Sequence, residues 1–157
     1  LISMSYKILD CTLRDGGYYT NWNFPDELVE KYFTVLSKLP IDCVEVGYIS
    51  NNLKDDFGLF YHLSPNFLNK IKKKLNKNQQ IACMVNAKEI KNSKNLIDLL
   101  KPFNNCLDIV RFAVDPKNLD RTLKIISQAK EKINKIKFNL NLMYMSNWYN
   151  DLNYSKN

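Results

Sequence analysis

At 157 residues, 45% of them hydrophobic, the chain fits one domain with a sizeable core. No apolar run approaches the roughly 18 residues of a membrane span, and Lys7, Asp10 and Arg14 interrupt the first apolar stretch, against a signal-peptide core. Of the 23 basic residues behind the net charge of +7, only Arg14, Arg111 and Arg121 are Arg; the lysines fall mostly on helix faces and ends, as at Lys70, Lys72, Lys73, Lys74 and Lys77, which argues against a nucleic-acid surface.

Leu1–Ser3 reads as a start remnant, with Met4 an alternative first residue. Tyr6–Leu13 reads as a strand, and Arg14–Asn23 as a polar loop whose Gly16 and Gly17 permit positive φ or a tight turn. Phe24-Pro25-Asp26 opens a helix, with Leu28, Tyr32, Val35 and Leu36 as its apolar stripe, that stops near Leu39-Pro40. A second strand covers Ile41–Ile49. The loop Ser50–Leu63 follows, with Gly58 and the only histidine, His62, whose default role is a solvated or capping one. Ser64-Pro65 starts a helix with Phe67, Leu68, Ile71 and Leu75 buried. Then come a strand at Gln80–Val85, a helix at Ser93–Phe103, and a strand at Leu107–Val114 ended by Asp115-Pro116. Last are a helix at Leu119–Ile133, with Leu119, Leu123, Ile126, Ala129 and Ile133 in register, and a strand at Ile136–Met145 before a polar tail.

Five strands alternating with four helices predict right-handed βαβ units and a parallel sheet. An open doubly wound sheet would be complete in this length. A (β/α)8 barrel takes about 250 residues, so here it would be the N-terminal part. No G-x-G-x-x-G follows the first strand, which removes the dinucleotide argument for the open sheet.

Alternation sharpens the choice. It places Ile8, Asp10, Thr12 and Arg14 opposite Leu9, Cys11 and Leu13, and Cys43, Glu45 and Gly47 opposite Val44, Val46 and Tyr48. It likewise sets Met84 and Asn86 on one side of strand three, Arg111 on one side of strand four, and Asn139 and Asn141 on one side of strand five. One face of each strand is apolar; the other carries charge or amide. A barrel interior that turns polar toward its mouth explains this better than an open sheet covered on both faces. Asp10, Glu45, Arg14 and Arg111 then balance as two acids and two bases.

The candidate chemistry gathers at strand ends. Asp15 suits a hard divalent cation or an Asx turn. Arg14 can hold a carbonyl or carboxylate oxygen, or simply pair with Glu45 or Asp10. Glu45 is an acid/base group, a positioning group or a counter-ion. Tyr18 or Tyr19 can donate a hydroxyl proton or pack in the loop. Asn139 and Asn141 can line the cavity or satisfy the inner network; Asn86 lies at a strand end, and Arg111 deeper, mid-strand. Cys11, Cys43, Cys83 and Cys106 lack C-x-x-C spacing, which argues against a zinc or redox motif and suits a reducing, cytoplasmic setting.

The run Asp10-Cys11-Thr12-Leu13-Arg14-Asp15-Gly16-Gly17 resembles the first-strand signature of the DRE-TIM, or pyruvate-carboxyltransferase-like, metallolyases. That superfamily includes 3-hydroxy-3-methylglutaryl-CoA lyase, 4-hydroxy-2-oxovalerate aldolase, isopropylmalate synthase and homocitrate synthase. Val44-Glu45-Val46-Gly47-Tyr48 and Asn141-Leu142-Met143 are also similar to it. The resemblance implies the N-terminal part of a (β/α)8 TIM-barrel catalytic domain that acts on a 2-oxo acid or related acyl substrate through an enolate. Asp15 would be a ligand of a divalent cation, Mn2+ or Mg2+; Arg14 would stabilise the enolate oxygen, with Glu45 and Tyr18 also catalytic. Arg14, Asn86, Arg111 and Asn141 would bind substrate. No nucleic-acid or membrane partner follows from it, and a homo-oligomer is compatible with it. The chain departs from the pattern in three ways: it has no His-x-His metal pair, Tyr18 stands about where the aldolases carry a proton-transfer His, and the family's remaining strands and any C-terminal domain are not in this sequence. A barrel-derived binding protein without turnover is the alternative, ahead of a basic nucleic-acid-binding domain.

Overall fold

The structure, a computed structural model, describes residues 6–52, 56–144 and 146. Strands β1 (Leu9–Asp10), β2 (Cys43–Tyr48), β3 (Gln80–Asn86), β4 (Ile109–Val114) and β5 (Lys137–Leu142) alternate with helices. These are α1 (Thr12–Thr20), α2 (Asp26–Leu36), α3 (Pro65–Lys72), α4 (Ser93–Leu100) and α5 (Leu119–Lys130). All four strand pairings are parallel, and the spatial order is β1-β2-β3-β4-β5. A doubly wound sheet reverses order at a switch point, whereas a barrel adds each strand beside the last. The sequential order therefore discards the open doubly wound sheet and defines a curled, partial α/β barrel.

Two layers hold it. Outside the sheet, Val44, Val46, Ile81, Cys83, Val85, Val110, Phe112 and Val114 pack against Phe33, Leu36, Leu68, Ile71, Leu96, Leu100, Ile126 and Ala129 in one buried cluster. Each Val, Leu, Ile or Phe side chain among them contributes roughly 1.5–3 kcal/mol. Inside, Cys43, Ala82 and Ile109 form a small second cluster joined by Leu9, the floor on which the polar residues stand. Caps fix the helix starts: Ser64 Oγ accepts from Phe67 N at 3.2 Å, and Asn92 Oδ1 from Asn95 N at 2.9 Å. Before the strands, Asp42 accepts from Ile8 N at 2.7 Å and Asp108 from Ile81 N at 2.9 Å, tying neighbouring strand starts together.

The first thirty residues depart from the sequence expectation. Strand one is two residues long, and the expected loop is the helix α1, so there are five α-helices rather than four. Asp10 causes this: its carboxylate accepts from Thr12 N at 3.0 Å and Thr12 Oγ1 at 3.1 Å, turning the chain from strand to helix. Gly16 and Gly17 lie inside α1, and no glycine takes a positive φ among the described residues; Asn21, at φ 50°, closes the helix instead. The facing of strand one is also reversed. Leu9 pairs with Cys43 on the inner side, while Asp10 pairs with Val44 and accepts from Tyr32 Oη at 2.5 Å beneath α2.

Elsewhere the strands fall within a residue or two of expectation at most ends. On α2 the packed residues are Val29, Tyr32, Phe33 and Leu36; Leu28 and Val35 are exposed, because the stripe runs one residue off the expected line. On α5, Thr122, Ile125, Ile126 and Ala129 are buried and Leu123 is exposed for the same reason. The expected start remnant and the tail after Ser146 lie outside the described residues, apart from residue 146 itself.

Candidate active site

The site grows from Glu45, the one fully buried acid on the inner face of β2. Arg14 Nε donates to Glu45 Oε1 at 2.6 Å, and Arg111 Nη1 donates to Glu45 Oε2 at 2.8 Å. Arg111 reaches over β3 from β4; the small Ala82, register partner of Glu45, leaves the path open. Arg111 Nη2 then donates to Asn141 Oδ1 at 3.1 Å, and Asn141 Nδ2 to Met143 Sδ at 3.3 Å. At the other end Arg14 Nη1 donates to Asp15 Oδ1. The polar chain Asp15–Arg14–Glu45–Arg111–Asn141 thus crosses the inner face just above the Cys43, Ala82 and Ile109 floor. Its two acids and two arginines cancel, with Asp15 in the place expected of Asp10.

Burial opposes the Arg14 charge, but the hydrogen bond and charge of Glu45 outweigh it and raise its pKa above the ordinary value. Arg14 keeps its Nη2 hydrogens: no hydrogen bond among the described residues uses that nitrogen. Arg14 hangs from a helix, not from a strand. Its carbonyl accepts from Trp22 Nε1 at 3.1 Å, so a buried indole fixes the backbone beneath it. Cys11 lies beside the pair with its Sγ 3.7 Å from Asp15 Oδ2, and burial pushes its thiol pKa up, away from the thiolate form.

Higher at the mouth is a cleft of about 180 Å³ at the C-terminal ends of the strands, lined by Tyr18, Tyr48, Asn86, Ala113, Asp115 and Tyr144 among others. Ala113 stands two residues above Arg111 on the same face of β4 and between Asn86 and Asn141 in register, so its small side chain leaves the cleft open. Asn86 Oδ1 accepts from Lys88 N at 3.1 Å, capping the turn after β3. Tyr18, one helical turn after Arg14, meets Tyr48 hydroxyl to hydroxyl at 2.8 Å.

Arg14, Glu45, Arg111, Asn141 and Asp15 are therefore brought together in one hydrogen-bonded chain, with Tyr18 and Asn86 lining the neighbouring cleft. Asn139 sits on β5 opposite Arg111 in register but is exposed at the sheet edge. His62 stands in the loop after β2, edge-on to Tyr61 at 5.1 Å, and lines neither mouth cleft. Tyr19 is almost wholly exposed.

Two residues of the site were not expected. Alternation sets Tyr48 opposite Glu45, but the β2–β3 register shifts between them: Glu45 pairs with Ala82 and Tyr48 with Met84. One extra residue in β2 turns Tyr48 onto the inner face. The signal was Gly47, a glycine inside a strand. A Cβ there would stand 1.8 Å from the Phe60 carbonyl oxygen, which accepts from Tyr48 N at 2.8 Å. Trp22, the other, is buried between the rings of Tyr18 at 4.8 Å, Tyr48 at 5.6 Å and Tyr61 at 4.9 Å.

A partial α/β barrel with a buried arginine–glutamate pair below a polar mouth defines the class. The chain is similar to a solved structure described as "the N-terminal domain of a putative aldolase from Bacteroides vulgatus", with 37% identity and a TM-score of 0.84 over 95% of this chain and 48% of that one. The chain thus spans about half the length of that neighbour. No protein-family profile matches the sequence, and no curated protein does. No helix among the described residues is long and apolar enough to cross a membrane.

Proposed function

We propose that the chain is the N-terminal part of an aldolase-like (β/α)8-barrel enzyme of the DRE-TIM kind, which makes or breaks a carbon–carbon bond beside a carbonyl group of a 2-oxo acid or related acyl substrate. The carrying observation is that Arg14 is anchored by Glu45 and Asp15 through Nε and Nη1 while its Nη2 remains for a substrate oxygen. The hard part of such a reaction is the negative charge that gathers on the carbonyl oxygen as the enolate forms. A guanidinium that is already fixed and largely desolvated stabilises that charge without reorganising. Arg111, Asn141 and Asn86 are the groups that would orient the substrate, and Tyr18 the group that exchanges a proton at the mouth.

A divalent cation, Mn2+ or Mg2+, belongs to this reading, with Asp15 as the donor the resemblance implies. Among the described residues no group of three or more His, Cys, Asp or Glu comes together, and Asp15 is engaged with Arg14 and Cys11. These residues do not complete a cation site, and further ligands would have to come from outside the chain; what the chain itself would supply is Arg14 at the enolate oxygen and Tyr18 for the proton exchange. That incompleteness is also what favours the second reading, a barrel-derived binding protein.

The test is exchange of the pyruvate methyl protons in heavy water by the full-length protein supplied with Mn2+. Exchange that is lost in Arg14→Gln supports the enolate reading. No exchange, with pyruvate still bound, supports the binding protein.

A further inference from the structure

Tyr18 and Tyr48 present a hydroxyl pair whose two members differ in environment. Tyr48 is 7% exposed and Tyr18 is 59% exposed. A buried O–H must be paired, and the oxygen that meets Tyr48 Oη is that of Tyr18, at 2.8 Å. Tyr18 has the mouth cleft before it and needs no protein acceptor for its own proton. We infer that Tyr48 donates to Tyr18, so that Tyr18 turns its own hydroxyl proton into the cleft as a general acid toward a substrate oxygen.

This deepens the aldolase-like reading and rests on it. In the bond-forming direction the alkoxide oxygen left by addition to a carbonyl takes the Tyr18 proton. The Tyr18 O–H bond breaks, the new O–H bond forms on the product, and the electron pair stays on Tyr18 Oη, where the Tyr48 hydrogen bond stabilises it. Solvent at the mouth returns the proton. Tyr48 is a positioning residue. Burial, reinforced by the bond to Tyr18, pushes its phenol pKa well above the ordinary value, so it keeps the proton it donates. The charges that act on Tyr48 are Arg14 and Glu45, and Lys88 and Asp115 line the cleft beside the pair. The geometry is held from three sides: the extra residue at Gly47 turns Tyr48 inward, Trp22 packs on both rings, and α1 sets Tyr18 one turn from Arg14.

The direction of donation can be measured without substrate, so its failure is separate from failure of the aldolase-like reading. The full-length protein is labelled with 13C at the tyrosine ζ carbon and observed by NMR in an equal mixture of light and heavy water. If Tyr48 donates to Tyr18, its buried, hydrogen-bonded hydroxyl exchanges slowly and splits the Tyr48 ζ-carbon line, while the cleft-facing Tyr18 hydroxyl exchanges fast and gives one line. A split Tyr18 line or an unsplit Tyr48 line overturns the inference.

Discussion

Glu45 and Arg14 are joined at 2.6 Å, one from the middle of β2 and the other from the first turn of α1, so a helix residue is fastened to the barrel interior. The second Glu45 oxygen holds Arg111 at 2.8 Å, which makes the carboxylate the hinge pin of the polar chain. Glu45→Gln leaves two largely buried guanidiniums facing a neutral amide. Removing one partner of a buried ion pair costs about 3–5 kcal/mol. Urea unfolding should show a loss of this size with an unchanged slope; a loss under about 1 kcal/mol, as for a surface pair, would contradict the account.

Asp15 should behave in the opposite way. Its side chain is 60% exposed, so its pairing with Arg14 contributes under about 1 kcal/mol. Asp15→Asn is expected to leave the unfolding midpoint nearly unchanged while abolishing any Mn2+ dependence of the full-length protein's turnover. A large loss of stability with cation dependence intact would reassign Asp15 to a structural role.

The two glycines of α1 predict opposite outcomes. A Cβ at Gly16 meets nothing closer than the Phe24 ring at 3.9 Å, so Gly16→Ala gains helix propensity of about 0.5–1 kcal/mol. At Gly17 it would stand 2.1 Å from the Trp22 indole. Gly17→Ala must push that ring from between Tyr18 and Tyr48, at about 1–3 kcal/mol. Thermal unfolding of the pair, with Trp fluorescence as a second readout, separates them.

Alkaline pH should loosen the inner floor. Burial pushes the Cys43 thiol from the ordinary 9.0 up to about 12. A raised folded value means stability that is fully present below pH 9 and lost as pH rises toward 12. Unfolding free energy measured over that window should fall, and part of the fall should vanish in Cys43→Ala. An identical slope in the variant would remove Cys43 as its source.

Much of the architecture is legible in sequence because the strands are written in runs such as Val44–Val46, Ile81–Val85 and Val110–Val114, whose outer faces only helices can cover. Arg14, Glu45, Arg111 and Asn141 are legible as a group because buried charge must be balanced. The first motif is harder. A strand read through Leu13 aims Asp10 inward, whereas Asp10 turns the chain by binding Thr12 N, a local side-chain bond that alternation does not register. Tyr48 is hidden for a related reason: the extra residue at Gly47 answers to Phe60, a contact set by the loop 56–63 rather than by the strand. Trp22 gives no periodic signal at all, since it stands just beyond a helix end at φ 55°.

The proposed role of Arg14, held by Glu45, in stabilising an enolate oxygen is tested by the heavy-water exchange rate of pyruvate methyl protons in full-length Arg14→Lys, corrected for the folded fraction. Lysine keeps the charge but loses the fork that binds Glu45 and a substrate oxygen together. A fall of about 10²–10³-fold with the fold intact is expected if Arg14 holds the enolate oxygen. Exchange within about twofold of the unaltered protein would show that it does not.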